Sequence, residues 1–149
     1  MTLSLFLHVL SVVVWVGGMF FAYMTLRPVA ASVLEPPQRL TLWAGVFDRF
    51  FPWVWISVLL ILASGLYMLH LMGAGAPKYA YLMLILGVAM IVIFGQVFFS
   101  PYKKLKRAVA AQDWPAGGAA LAQIRRLIGI NLIIGLVTIA VVFAGRALP

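Results

Sequence analysis

The chain has 149 residues, 65% of them hydrophobic and 9% charged, with a formal net charge of +8 and a mean hydropathy of +1.11. That composition excludes a soluble globular domain and points to an integral membrane protein. Cysteine is absent, which removes disulfides, thiolate metal sites, iron–sulfur clusters and cysteine nucleophiles, so any bound metal must use histidine, methionine or oxygen ligands. The basic residues sit in loops between apolar runs, where they orient a membrane protein rather than bind nucleic acid.

The first predicted span covers residues 3–26 and carries no charge until Arg27-Pro28. No basic residue precedes it and no small-x-small cleavage pattern follows, so it reads as a span and not as a signal peptide. Residues 29–49 form a loop with an amphipathic stretch. Pro36-Pro37 suit a helix start, and Leu40, Trp43, Val46 and Phe47 recur at helical spacing beside Arg39 and Asp48. This pattern predicts a short helix lying in the membrane interface.

The second span, 51–72, tolerates Pro52 in its first turn, places Trp53 and Trp55 at aromatic-belt depth, and stops at Gly73-Ala74-Gly75-Ala76-Pro77. After that tight turn comes the third span, 79–99, ending at Ser100-Pro101 and the basic cluster Lys103-Lys104-Leu105-Lys106-Arg107. Asp113-Trp114-Pro115 resembles a helix start, so a fourth helix is expected from near Pro115, past Arg125-Arg126, crossing the membrane over 127–144. The expected fold is all-α: one membrane domain over residues 1–149, a four-transmembrane-helix up-down-up-down bundle with a short interfacial amphipathic helix in the first loop. Small residues such as Gly17, Gly18, Ser64, Gly65, Gly129 and Gly135 allow close helix approach. Homo-oligomerisation stays open.

Orientation follows from the loop charges. Arg27, Arg39, Arg49, Lys103, Lys104, Lys106, Arg107, Arg125 and Arg126 fall on one side, against Lys78 and Arg146 on the other. The positive-inside rule puts the first and third loops in the cytoplasm and both termini outside, periplasmic in a bacterial inner membrane.

Two histidines, His8 and His70, are the ionisable groups within the apolar runs. Ionisable groups inside a membrane are costly and are functional candidates. His8 lies near the outer start of the first span and His70 near the outer end of the second, so both are expected at a similar depth. Two imidazoles reaching across a bundle at one depth would suit the axial positions of haem b iron. Trp15 shares a stripe with His8 and could pack on the edge of a macrocycle, while Ala63 and Tyr67 flank His70. Bis-histidine ligation leaves no open iron position, which favours electron transfer over oxygen chemistry.

Copper is the competing metal, since methionine thioethers with imidazole suit Cu(I). Met68 and Met72 share a face, but His70 points nearly opposite, and methionine in an apolar bundle also serves plain packing. Gln96 and Asn131, with Arg125 and Arg126, fall near the inner ends of the third and fourth spans. They could form an interhelical hydrogen bond or a quinone or head-group pocket. The basic cluster after the third span reads as an orientation and anionic-lipid signal. Glu35, Asp48 and Asp113 all lie in loops, and no serine triad or phosphate loop is present, so neither a hydrolase nor a proton-relay transporter is expected.

His8 with Trp15-Val16-Gly17-Gly18, Leu26-Arg27-Pro28, Arg49-Phe50-Phe51-Pro52-Trp53, Ser64-Gly65-Leu66-Tyr67, Pro101-Tyr102-Lys103-Lys104-Leu105 and Arg125-Arg126-Leu127-Ile128-Gly129-Ile130-Asn131-Leu132 together resemble the small four-span members of the copper-resistance protein D (CopD)-like superfamily. The resemblance spans essentially the whole chain. It implies links to copper uptake and, through the related HemJ protoporphyrinogen oxidases, to haem synthesis and haem binding. That related family is expected to pair a first-span histidine, matching His8, with a lysine inside the third span. Here residues 79–99 contain no lysine, and Lys78 lies just outside.

The leading expectation is therefore a haem b-binding membrane protein with His8 and His70 as axial ligands, carrying electrons between membrane quinone and an outer acceptor or partner protein. The alternatives are a copper-transport or copper-resistance protein and a protoporphyrinogen oxidase-like enzyme of haem biosynthesis. No catalytic residue is assigned, and enzymatic activity stays open.

Overall fold

The computed structural model describes residues 1–148. Among these the chain is helical and without strands: α1 (Thr2–Phe20), a π-helical stretch (Phe21–Leu26), α2 (Arg27–Val33), α3 (Pro36–Met72), a short 3₁₀ turn (Gly73–Gly75), α4 (Lys78–Phe99), α5 (Pro101–Ala110) and α6 (Trp114–Ala147). Four helical stretches are long and apolar enough to cross a membrane, as expected. Large apolar side chains such as Val13, Leu59, Ile85, Val92, Ile133 and Phe143 face outward along them, the arrangement that lipid contact requires.

Three neighbour pairs dominate the packing: α1 against α3, α4 against α6, and α5 against α6. The backbones of α3 and α4 approach less closely although a tight turn connects them. Bulky rings occupy the space between, since Phe94 of α4 meets Trp15 of α1 edge-on at 6.2 Å, Phe51 of α3 at 5.3 Å and Trp55 of α3 at 5.0 Å. Interhelical distance follows side-chain size at the contact, and aromatic edges prefer this geometry. Glycine acts the opposite way elsewhere: a Cβ on Gly135 would stand 3.1 Å from a Val16 methyl and 3.2 Å from the Met90 methyl, so its absence lets α6 close on α1 and α4.

The first loop departs from expectation. Its amphipathic stretch is helical, but it is the opening part of α3, continuous through Pro52, and not a separate helix lying in the interface. Its apolar face is covered by protein instead of lipid. Leu40, Trp43, Ala44 and Phe47 are buried in one cluster with Leu105 of α5 and Ala120 and Ile124 of α6. Leu105 and Ile124 are fully buried, at 0% exposure. Phe47 stacks on Phe51 in the turn before Pro52 (4.9 Å, 10° between planes) and meets Tyr102 edge-on. The Tyr102 hydroxyl donates to the Asp48 carboxylate, which also pairs with Lys106 at 3.0 Å. The helix continues through Pro52 although that residue lacks a backbone donor, and these contacts anchor the turn that precedes it.

The last helix starts where the sequence placed it. Asp113 caps it by accepting from the Ala116 N–H at 3.3 Å, a normal N-cap arrangement with a proline in the first turn. The bundle thus carries a helical cap at the end bearing the first and third loops, built from the start of α3, all of α5 and the start of α6.

Candidate functional site

His8 sits on α1 where that helix packs against α3, its partner across 56 residues of chain being Ser64. The distance from His8 Nδ1 to Ser64 Oγ is 3.0 Å. The serine hydroxyl has a single proton, and it faces two backbone carbonyls of its own helix, Leu60 and, at 3.2 Å, Ile61. That proton is therefore committed to the α3 backbone, as is usual for serine within an apolar helix. Ser64 must then accept from His8, which assigns the proton to Nδ1 and leaves the lone pair of Nε2 free. A metal-binding imidazole has this same arrangement, with one nitrogen oriented by a hydrogen bond and the other available to the metal.

Gly65 completes the seam. A Cβ at this position would lie 3.4 Å from His8 Cε1, in van der Waals contact, so the imidazole rests against a surface without a side chain. The adjacent residues Ser64 and Gly65 thus do different things for the same ring: one orients it by a hydrogen bond, the other makes space for it.

His70 lies elsewhere. From Ser64 to His70, α3 advances about 9 Å and turns through about 120° from the direction facing α1. The imidazole of His70 is exposed. The expected common depth is not what the structure has, because His8 is level with Ser64 and Gly65. A macrocycle clamped between His8 and His70 of one chain does not fit this arrangement, since axial ligation needs two imidazoles converging on one iron. Trp15 is buried in the aromatic core against Phe94, while Ala63 and Tyr67 are exposed. These three side chains do not line one gap.

Among the described residues no group of three or more His, Asp or Glu side chains converges in metal-binding fashion. Met19 and Met90 are buried, whereas Met68 and Met72 are half-buried on α3. His8 is accordingly one oriented imidazole and not part of such a group.

The second expected cluster also separates. Asn131 is buried and donates to the Met90 carbonyl at 3.2 Å, which is the interhelical hydrogen bond foreseen as one of its two roles, although its partner is a backbone carbonyl and not Gln96. Its Oδ1 has no protein partner. Gln96 and Arg126 are exposed, and Arg125 lines a cavity that includes none of the other three. Ser64, the partner of His8, was legible only as a small residue at a helix contact. Its signal was its place beside glycine on the helix following α1, which is the antiparallel neighbour.

A family model described as Copper resistance protein D matches residues 44–144. No curated protein matches the chain, and no solved structure does. The matched stretch contains Ser64 and Gly65 and leaves α1, with His8, outside.

Proposed function

The chain belongs to the copper resistance protein D family, and from that premise we propose that it handles copper within the membrane, with the Nε2 atom of His8 coordinating the ion. The observation that carries this reading is the His8–Ser64 hydrogen bond, which fixes the tautomer a metal ligand needs. Copper(I) accepts low coordination numbers and soft or imidazole donors, so one oriented imidazole can take the ion from a donor and pass it on. The ion is cargo in this scheme, and the incomplete ligand set at His8 favours release. The positive-inside rule supports a cytoplasmic position for the first and third loops, and with it a position of His8 near the outer face of a bacterial inner membrane with both termini outside.

The same lone pair could serve haem iron, as could an electron-transfer role with a quinone or protein partner. Copper is favoured because His70 is turned away from His8, so a bis-histidine haem site within one chain lacks its second ligand.

The test is a competition titration of the detergent-purified protein with Cu(I) against a chromogenic chelator, alongside His8→Ala and His70→Ala and a reduced-minus-oxidised absorption spectrum. The expected result is copper binding lost in His8→Ala and kept in His70→Ala. Equal copper affinity in wild type and His8→Ala overturns the proposal. Haem bands lost in both variants would establish the bis-histidine cytochrome instead.

A further inference from the structure

The cap bears a half-open cavity of about 310 Å³ at the end opposite His8. Arg27, Arg39 and Arg125 line it, brought there from α2, α3 and α6. No acidic side chain lines it. Among the described residues the recorded ion pair is Lys106 with Asp48, and Asp113 is engaged as the α6 cap. Three guanidinium groups around one cavity without a carboxylate make a field that favours an anion.

One of the three is built into position. The N–H of Arg27 bonds to the Ala22 carbonyl, five residues back, as the π-helical register requires. In that register the Tyr23 carbonyl would accept from residue 28, but residue 28 is proline and has no N–H. Arg27 fills the vacancy with its own side chain: Nε donates to the Tyr23 carbonyl at 3.1 Å, and the guanidinium lies 4.6 Å from the Tyr23 ring centroid. Backbone and ring thus hold the group while its two terminal nitrogens stay free for a ligand. Arg39 is tied less firmly, through Nη1 to the Ala31 carbonyl at 3.4 Å.

The remaining wall is apolar and aromatic, with Tyr23, Trp43, Phe47 and Trp114. Arg125 precedes the apolar part of α6, so the cavity lies where the bundle would emerge from the membrane. A charged rim over aromatic walls at that depth matches a molecule with an anionic head and an apolar body. We propose that this cavity binds a phosphate head group, that of an anionic phospholipid, with Arg27, Arg39 and Arg125 as its donors. Phosphate suits three guanidinium groups because it offers several acceptor oxygens in geometries that arginine matches. The site is independent of His8 and of the copper reading.

The experiment is native mass spectrometry of the detergent-purified full chain with phosphatidylglycerol, phosphatidylcholine or inorganic phosphate added, on wild type, Arg125→Gln, Arg39→Gln/Arg125→Gln and Arg146→Gln. Arg125 and Arg146 are both exposed, so neither substitution removes a buried group, and a melting curve checks folding of each variant. Phosphatidylglycerol should be retained over phosphatidylcholine, with retention falling roughly tenfold for each arginine lost from the cavity, as for a charge-assisted hydrogen bond, and unchanged in Arg146→Gln, at the opposite end of the bundle. Inorganic phosphate displacing the lipid would identify the phosphate group as the recognised element; failure to displace it at high concentration would assign recognition to the intact amphiphile. Equal retention of both lipids, or loss in Arg146→Gln equal to that in Arg125→Gln, overturns the proposal.

Discussion

His8 and Ser64, 56 positions apart, meet at 3.0 Å across the α1–α3 contact, with histidine as donor and serine as acceptor. Substituting Ser64→Ala removes the hydroxyl acceptor that orients Nδ1. The expected cost to stability is about 1 kcal/mol, while affinity for a metal held by Nε2 should drop roughly 10- to 100-fold because the ring loses its orientation. Ser64→Thr keeps the hydroxyl and should restore most of that affinity. Chemical denaturation and Cu(I) titration of the two variants separate the effects. Full copper affinity in Ser64→Ala would show that the hydrogen bond orients nothing.

Gly65 gives a size-dependent test of the same seam. Gly65→Ala places a methyl at 3.4 Å from His8 Cε1, ordinary contact, and should be tolerated. Gly65→Leu must displace the imidazole, with an overpacking cost of about 1–3 kcal/mol and loss of His8-dependent metal binding. The measurement is stability and copper binding across the alanine, valine and leucine series; a flat series would place the ring elsewhere.

The cap predicts where stability resides. Leu105 is fully buried among Trp43, Phe47 and Ile124 in the same cluster, so Leu105→Ala should cost about 2–5 kcal/mol. Leu59 is 64% exposed on the outside of α3, and Leu59→Ala should cost much less, since lipid replaces the lost contacts. Unfolding of both variants in the same detergent checks the contrast. Similar losses would mean that the cap is not a packed core.

Pro28 lacks the amide that the π-helical register would direct at the Tyr23 carbonyl, so Pro28→Ala has a backbone readout. The new amide at residue 28 can donate to the Tyr23 carbonyl and release Arg27 Nε. Hydrogen exchange followed by mass spectrometry should show that amide protected, with stability nearly unchanged because the hydrogen bond gained, about 1 kcal/mol, offsets the unfolded-state entropy that proline had removed. An amide that exchanges as fast as an unbonded one would show that the Tyr23 carbonyl is not its acceptor.

Much of the architecture follows from hydropathy read along the chain. The four apolar runs, the glycine-rich turn at 73–77 and the Asp113 cap are all local signals, and the structure has each of them. The helical character of residues 36–50 was equally legible from its periodicity. What covers that stretch was not, because an amphipathic face looks the same whether lipid or protein lies against it. Only the packing of Leu105 and Ile124 on Phe47 and its neighbours decided that α3 runs unbroken through Pro52.

The candidate sites divide the same way. Sequence by itself singled out His8, because an imidazole in an apolar run is costly to keep without a purpose. It pointed to His70 as the partner and not to Ser64, since both follow on the next helix and only the rotation of that helix about its axis separates them. Three arginines from three separate segments gave no motif at all. Hydropathy and local spacing are properties of neighbouring residues and survive in one dimension; the register between α1 and α3, and the meeting of Arg27, Arg39 and Arg125 around one cavity, depend on side-chain volumes at distant contacts and exist only in the folded bundle.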